Sequence, residues 1–464
     1  MINEPIVPQH HPASFKDPSG FIFKANGKLY RQINTCYADD YDLLMSSGLY
    51  KALIEKKLLI PHTEINENFY QSPDWFKTIL PEQLTFISYP YEWSFDELKD
   101  AALTTLRILK ISVKHGMILK DGTSFNIQFH EGRAVFIDTL SFEKYDENKP
   151  WIAYRQFCEC FLFPLLIEHY HKIDVQKLLS VYLEGIPAGT TAKLLPLKSR
   201  FKLGIWLHVY LQASVNAKNK PTSKTATASF SKNKLLNLID SLQNIIKPLK
   251  VETTIQSTWN NYYEETILSK NYLQEKEKIF RELIGDINNG RTMDVGCNDG
   301  YFSKILAENN PDVIAVDFDS QCVNKLYLDV KAGITKNILP FCIDLTNPSP
   351  ALGFNHAERQ SFAERAKSDT ITALALIHHI VLSKNVPFAD VAKMFSDITL
   401  NHLIIEFVPI TDEKSQQLIA NKTTYHKPYD PEAFEKNFTV YFQIERKEII
   451  PGTERILYRM KKLL

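Results

Sequence analysis

Short apolar runs alternate with helical patterns of apolar positions throughout the second half of the chain. Three successive runs end in an aspartate, at Asp294, Asp317 and Asp344. Further apolar runs occupy residues 370–377, 402–409, 441–444 and 456–460. This alternation predicts an α/β fold with a doubly wound sheet, and the last two runs predict a terminal antiparallel pair.

The first half of the chain mixes strand and helix patterns without that regular alternation. Residues 21–33 predict a β-hairpin, because Asn26 and the glycine after it favour a type I′ turn. Helical patterns follow at 40–57 and 95–114, and a strand pattern occupies 84–90 between them. This half is therefore expected to be an α+β domain.

Two stretches lack both kinds of pattern. Residues 1–20, rich in Pro, His and Ser, predict a poorly ordered lead-in. Residues 213–234 hold five lysines and no acid among Ala, Asn, Thr and Ser, a composition typical of a flexible linker. We therefore expect an N-terminal domain at 1–212, the linker at 213–234 and a C-terminal domain at 235–464.

A glycine turn follows the first of the aspartate-ending runs. Asp294, Gly296, Asn298 and Gly300 stand at alternate positions before the next helical pattern. A dinucleotide-binding turn needs glycine where Asn298 stands, and the charge of Asp294 would repel a diphosphate. A carboxylate suits a cationic or amine-bearing ligand instead. The spacing resembles motif I of the class I S-adenosylmethionine (SAM)-dependent methyltransferases, which implies a Rossmann-like domain in which these four residues bind SAM.

The next two strand-end acids suit the same ligand. Asp317 ends a run about 20 residues further on, a separation at which an acid hydrogen-bonds a ribose diol. Asp344 and Leu345 follow the third run and resemble the methyltransferase motif that contacts the adenine amine. The alternative is a structural turn without a ligand, but three strand-end acids in this order favour a SAM site.

Candidates for catalysis follow the fourth and fifth runs. Methyl transfer needs an acceptor lone pair aimed at the sulfonium methyl, and a base assists when the acceptor is a hydroxyl or an ammonium. His378 and His379 follow the fourth run, and either is a candidate base because histidine titrates near neutral pH. Glu406 is the next candidate, although a buried strand-end acid also binds backbone or amine groups. This chemistry requires no metal.

A different motif occupies residues 115–138. A turn with Asp121 and Asn126 precedes a run that ends in Asp138, and the spacing resembles the catalytic loop and Mg²⁺-binding acid of protein-kinase-like folds. A glycine-rich phosphate loop and a clear strand lysine are missing, and Arg31 is the nearest stand-in. We expect a kinase-like scaffold without activity. The alternatives are a Mg-ATP-dependent phosphotransferase that uses these three residues, and a hairpin with a buried polar turn.

Composition narrows the class of protein. The chain has 464 residues, of which 44% are hydrophobic and 23% charged, and its formal net charge is zero. These values are typical of a globular protein with two or three domains, and the neutral charge argues against nucleic acid as a partner. The six cysteines form no C-x-x-C pair, which predicts reduced thiols. Neither a signal peptide nor a membrane span is apparent, so we expect a cytoplasmic protein.

Further stretches in both halves share their pattern with one family. They occupy residues 91–95, 98–102, 136–143, 153–157, 344–350, 373–379 and 404–409. They resemble the NoeA-type nodulation-protein methyltransferases, which implies a SAM-dependent enzyme whose N-terminal domain recognises a substrate, a carrier or a partner protein. The resemblance names no acceptor, so a small molecule, a glycan and a peptide stay open, as does a non-catalytic scaffold.

Overall fold

The computed structural model describes residues 8–217, 230–251, 270–285, 287 and 290–463. These residues form two compact units. Unit 1 takes in the described residues up to 251 together with Ala351–Arg359, and unit 2 holds those from 270 to Pro350 and from Gln360 onward.

Unit 1 is built on a five-stranded antiparallel sheet. Its strands are β1 (Gln9–His10), β2 (Gly20–Ala25), β3 (Lys28–Asn34), β4 (His62–Ile65) and β5 (Trp75–Pro81). They lie in the order β1-β2-β3-β5-β4. Four short strands follow: β6 (Met117–Leu119), β7 (Ile127–His130), β8 (Arg133–Phe136) and β9 (Phe142–Lys144). β6 pairs with β9, and β7 pairs with β8.

Helices fill the rest of unit 1. They are α1 (Ala38–Ser46), α2 (Leu49–Glu55), α3 (Phe95–Lys114), α4 (Tyr154–Phe157), α5 (Phe163–His171), α6 (Gln176–Val181), α7 (Ala188–Leu194), α8 (Leu203–Ile205), α9 (Gln212–Ala217) and α10 (Lys232–Ile246). The π-helical turns Cys158–Leu162 and Trp206–Leu211 join α4 to α5 and α8 to α9. A capping box between Ser94 and Glu97 begins α3, which buries one apolar face.

The sequence-based predictions for unit 1 meet mixed outcomes. The hairpin is confirmed, with Asn26 at φ 50° in the left-handed conformation that its turn requires, and α3 has the predicted bounds. The strand predicted at 84–90 is wrong. There the backbone groups of Ser88 bond to the side-chain amide of Gln128 instead of a neighbouring strand.

Several boundaries of unit 1 also differ from prediction. β1 lies inside the predicted lead-in and pairs with β2. The helix predicted at 40–57 is broken into α1 and α2 at Gly48, which has φ 78°. The ends of the predicted linker are helical, since α9 runs to Ala217 and α10 begins at Lys232; residues 218–229 lie outside the described residues. α10 packs on α3, where Lys110 Nζ lies 2.6 Å from Asp240 Oδ1, so this helix belongs to unit 1.

Unit 2 is built on a seven-stranded mixed sheet. Its strands are β10 (Thr292–Val295), β11 (Val313–Asp317), β12 (Ile338–Cys342), β13 (Ser368–Ala373), β14 (Thr399–Phe407), β15 (Phe442–Ile449) and β16 (Ile456–Lys462). They lie in the order β12-β11-β10-β13-β14-β16-β15. The first five strands along this order are parallel, and β16 runs antiparallel to both of its neighbours.

Helices connect these strands. They are α11 (Lys270–Ile284), α12 (Tyr301–Ala307), α13 (Ser320–Lys331), α14 (Phe362–Arg365), α15 (Phe388–Ile398), α16 (Glu413–Ile419) and α17 (Pro431–Phe438). The α/β alternation and the terminal antiparallel pair are confirmed, and the fold is Rossmann-like. Within the described ranges, no helix is both long and apolar enough to span a membrane.

Candidate active site

A cavity of about 330 Å³ opens at the carboxyl ends of the parallel strands of unit 2. Residues that follow β10, β12 and β13 line it, together with the last residue of β11. In the sheet, β10 lies between β11 and β13, so the chain builds outward from β10 first on one side and then on the other. Open α/β sheets bind ligands at such a switch point.

The structure divides the predicted site residues of this unit into two groups. Six line the cavity: Gly296, Asn298, Asp317, Asp344, Leu345 and His379. Four do not: Asp294, Gly300, His378 and Glu406.

The glycine turn needs its glycines for two different reasons. Gly296 has φ 75° and lines the cavity, with Leu376 Cδ1 3.2 Å from where a Cβ would stand. Gly300 has φ 82° and precedes α12, where a Cβ would lie 2.5 Å from Leu326 Cδ1. Gly300 therefore serves packing and does not contact the cavity as the motif resemblance implied.

Asp317 joins the glycine turn to the end of β11. Its Oδ2 accepts a 2.8 Å hydrogen bond from the backbone N–H of Asn298, and its Oδ1 accepts one of 2.9 Å from the N–H of Asp319. Burial raises the pKa of Asp317 to about 6. A carboxylate has about four lone-pair sites, so each oxygen can accept one more hydrogen bond from a group in the cavity.

Asp344 and its neighbours form the next part of the wall. Asp344 Oδ1 accepts hydrogen bonds from the backbone N–H of Thr346 at 2.9 Å and from its hydroxyl at 2.7 Å, which fixes the carboxylate at the end of β12. Leu345 and Ile343 add apolar surface, and the Phe318 side chain is 57% exposed at the same cavity. An acid between apolar side chains suits a flat heterocycle that carries an amine.

Asp294 lies beneath the cavity. Its two carboxylate oxygens accept hydrogen bonds from Ser303 Oγ at 2.6 Å and from Thr372 Oγ1 at 2.7 Å. Burial raises the pKa of Asp294. The side chain predicted to contact the ligand instead ties β10 to α12 and β13.

The two adjacent histidines have different environments. His379 begins the π-helical turn His379–Ser383 and lines the cavity, whereas His378 is fully buried behind it, with ring centroids 4.1 Å apart. Burial, with help from the charges of Lys414 and Arg455, lowers the pKa of His379 to about 4, so its imidazole is neutral near pH 7. Burial also holds the pKa of His378 well below its usual range, and neither of its ring nitrogens has a hydrogen-bond partner among the described residues.

Glu406 is the centre of a buried ion cluster. Lys276 Nζ lies 2.6 Å from its Oε2, Arg455 Nη1 lies 3.4 Å from its Oε1, and the Tyr272 hydroxyl donates to Oε1 at 3.1 Å. Burial alone would raise the pKa of Glu406, but the charges of Lys276 and Arg455 outweigh it and lower the pKa. A carboxylate held ionised between two buried cations, behind the cavity wall, is not placed to act as the base that its strand-end position suggested.

Sequence reasoning missed several residues of the cavity wall. They include Phe318, Ala375, Ile380, Ser383, Lys384 and Leu418. Ile380, Ser383 and Lys384 lie in or directly after the π-helical turn His379–Ser383. The wider spacing of that turn shifts the side chains from the positions they would have on an α-helix. Leu418 comes from α16, far along the chain, and no local pattern marks it.

The structure also brings together Asp121, Asn126 and Asp138, the three residues of unit 1 whose spacing resembles a kinase motif. Asp138 forms an ion pair with Arg31 and accepts a hydrogen bond from Ser141, whose Oγ lies 3.0 Å from Asn126 Nδ2. Burial raises the pKa of Asp121, and the nearby charge of Asp138 adds to the effect. Although burial opposes it, the ion pair with Arg31 keeps the pKa of Asp138 below its usual value.

Comparison with known proteins places this geometry in a family. Residues 268–397 match a family described as a methyltransferase domain. The nodulation protein NoeA of Rhizobium meliloti (strain 1021) is 30% identical over 457 residues, which cover 97% of this chain and 95% of that protein.

Solved structures give weaker likenesses. The N-methyltransferase NodS from Bradyrhizobium japonicum WM9 is 12% identical with a TM-score of 0.33, over 42% of this chain and 99% of that one. The magnesium protoporphyrin IX methyltransferase ChlM from Synechocystis PCC 6803, with bound SAH, is 15% identical with a TM-score of 0.32, over 44% of this chain and 92% of that one.

The family assignment rests on NoeA, since that likeness extends over nearly the whole of both chains. The methyltransferase-domain match covers the glycine turn, the cavity strands and the histidine pair. The chain therefore belongs to the NoeA family and is a class I SAM-dependent methyltransferase.

Proposed function

We propose that unit 2 transfers a methyl group from SAM to a small molecule, a glycan or a peptide, and that unit 1 recognises this substrate or a partner protein. One observation carries the proposal. Asp317, Asp344, the glycine turn and His379 converge on a single cavity at the switch point of the sheet.

The cavity wall fits SAM by its donor and acceptor chemistry. The Asp317 carboxylate would accept hydrogen bonds from the ribose hydroxyls, and the Asp344 carboxylate would accept one from the adenine amine. The turn at Gly296 and Asn298 would hold the amino-acid end, because no Cβ stands at Gly296 on the cavity wall. When bound, SAM supplies an electrophilic methyl group on a positively charged sulfur.

His379 is the residue best suited to take a proton from the acceptor. It lines the cavity and is neutral near pH 7, so an imidazole nitrogen can accept the proton that a hydroxyl loses as it attacks, or that an ammonium loses before its nitrogen lone pair can attack. Neither His378 nor Glu406 lines the cavity, so neither is placed to take this proton. His378 packs against the His379 ring, and Glu406 bonds to the backbone N–H of Ala375.

Calorimetric titration of SAM into the full-length protein tests the cofactor site. Asp317→Ala is the test variant, and Asp312→Ala is the matched control, because Asp312 stands just before the opposite end of the same strand and its carboxylate lies 3.4 Å from Arg291 Nε. We expect SAM to bind the wild type and Asp312→Ala alike and to lose affinity for Asp317→Ala. Equal binding to all three proteins would contradict the proposed site.

For unit 1 we propose a kinase-like scaffold without phosphotransfer activity. Three features support this proposal. The five-stranded antiparallel sheet is followed by α3, the short strands form the β6–β9 and β7–β8 pairs, and Asp121, Asn126 and Asp138 lie close together. Arg31 on β3 and Ser141 occupy the Asp138 carboxylate that would hold Mg²⁺ in an active kinase.

Mg-ATP separates this scaffold from the alternative phosphotransferase. We expect Mg-ATP to leave the thermal unfolding temperature of the full-length protein unchanged. A stabilisation that is lost in Asp138→Asn but kept in the control Asp146→Asn, whose side chain is half-exposed, would instead favour a working nucleotide site in unit 1.

A further inference from the structure

A helix near the end of unit 1 carries apolar side chains on both of its faces. α8, the turn Trp206–Leu211 and α9 follow one another without a break, from Leu203 to Ala217. On the inner face, Ile205 and Val209 are buried in unit 1. A helix that is apolar all round needs a second apolar or amphipathic environment for its other face.

Polar contacts fix which face of this helix points inward. His208 Nδ1 lies 2.7 Å from the Tyr154 hydroxyl, and its Nε2 lies 3.0 Å from Ser241 Oγ. Gly204 lies against α10, where a Cβ would approach Ile245 Cδ1 to 2.8 Å. The helix therefore cannot rotate to bury its other side without losing these contacts.

We name the other side of the helix, together with Phe201 just upstream, the outer face. It consists of Phe201, Leu203, Trp206, Leu207, Leu211 and Val215, whose exposed fractions run from 40% to 90%. Globular proteins seldom leave so many large apolar side chains together in water, and such a patch marks an interaction surface.

The stretch of chain that carries the outer face has charged side chains of a single sign. Between residues 185 and 239 the chain has nine lysine or arginine residues and no aspartate or glutamate, although the whole chain is neutral. Four of these basic residues, Lys193, Lys198, Arg200 and Lys202, are exposed and directly precede the helix. An apolar face bordered by positive charge is complementary to a surface that is apolar inside and negative outside.

We propose that the outer face binds the surface of a lipid bilayer that contains anionic lipids. The apolar side chains enter the boundary between headgroups and acyl chains, with Trp206 at the depth where tryptophan is enriched, and the basic residues contact lipid phosphates. A second copy of this chain is a poorer occupant, because a symmetric contact would bring like charges together. This inference is independent of the methyl-transfer site.

Cosedimentation of the full-length protein with vesicles tests this inference. One set contains phosphatidylcholine and phosphatidylglycerol in equal parts, the other phosphatidylcholine alone, and each is measured at low and high salt. The double variants Trp206→Ser/Leu207→Ser and Lys198→Glu/Lys202→Glu alter the apolar and the basic part of the surface. Matched controls are Ile334→Ser/Val440→Ser, exposed apolar residues of unit 2, and Lys51→Glu/Lys56→Glu, exposed lysines of unit 1.

We expect the wild type and both controls to sediment with the anionic vesicles, and salt to weaken the binding. Each outer-face variant should lose affinity about tenfold or more while its thermal unfolding stays that of the wild type. No binding to anionic vesicles, or equal loss in the control variants, would overturn the proposal. So would outer-face variants that bind vesicles normally but change the oligomeric state, since the face would then be covered by a second copy.

Discussion

The carboxylate of Glu406 accepts a 2.7 Å hydrogen bond from the backbone N–H of Ala375. Ala375 lines the cavity with φ 49°, a left-handed conformation that costs an alanine about 1–2 kcal/mol. The bond stabilises that conformation from behind the wall. The buried ion cluster around Glu406 and the shape of the cavity are thus parts of one arrangement.

Glu406→Gln should destabilise unit 2 strongly. The substitution keeps the size of the side chain but removes the ion-pair partner of Lys276, which is 1% exposed, at a cost of about 3–5 kcal/mol. Urea unfolding measures the loss. Glu308→Gln is the control, because the Glu308–Arg281 pair lies at the surface and should be worth about 1 kcal/mol or less. Similar losses of unfolding free energy in both variants would contradict a larger contribution from the buried pair.

The affinity for SAM should fall as the pH drops below about 6. Asp317 must be ionised to accept two ribose hydroxyls, and burial raises its pKa to about 6. The folding stability of the SAM-free protein should change in the opposite direction. It should fall as the pH rises from the ordinary carboxyl pKa to about 6, because burial disfavours the ionised form of Asp317. Calorimetry across this pH range measures the affinity, and a pH-independent affinity would argue against Asp317 as the ribose acceptor.

Substitution should separate the two histidines. His379→Ala should lower the rate of S-adenosylhomocysteine formation with a hydroxyl or ammonium acceptor about 10²-fold or more, with little change in SAM affinity. Because the pKa of His379 is about 4, its contribution should stay constant from pH 6 to 8 and be lost only as the pH falls toward 4.

His378→Leu is the matched comparison. Neither of its ring nitrogens has a partner in the part of the chain that the structure describes, so an apolar side chain should cost about 1 kcal/mol or less of stability. The rate should also stay close to that of the wild type. A loss of rate in His378→Leu equal to that in His379→Ala would contradict the assignment of the base to His379.

Alanine substitution of the two glycines of the turn should have different effects on stability and on SAM binding. Gly300→Ala should lower the stability of unit 2 by about 2–4 kcal/mol, because strain at φ 82° adds to the overlap with Leu326. Gly296→Ala should cost about 1–2 kcal/mol of strain and also weaken SAM binding. Gly452→Ala measures the cost of the strain alone, since its φ is 78° and nothing beyond its chain neighbours lies within 4 Å of the new methyl group. Urea unfolding of the three variants, with SAM titration of each folded protein, checks this order.

Local patterns predicted the fold of unit 2 well because its strands are buried and regular. The runs that end at Asp294 and Asp317 lie in strands β10 and β11, and Asp344 comes two residues after the end of β12. Unit 1 was harder. The strand pattern at 84–90 is apolar because Phe86 and Tyr89 are buried, while the polar backbone groups of Ser88 bond to Gln128, 40 residues away.

The candidate site was only partly predictable for a similar reason. Spacing identified the strand ends but not which way each side chain turns, so Asp294 and Asp317 look equivalent although only Asp317 lines the cavity. Glu406 looks like a free strand-end acid until Lys276, 130 residues earlier, is seen to pair with it. Such pairing depends on tertiary packing, which no local pattern records.

A crystal structure of the full-length protein with S-adenosylhomocysteine tests the central claim most directly. We expect the ligand in the cavity of unit 2, with its ribose hydroxyls on the Asp317 carboxylate and its adenine beside Asp344 and Leu345. A ligand bound elsewhere, or in this cavity without contact to Asp317, would contradict it.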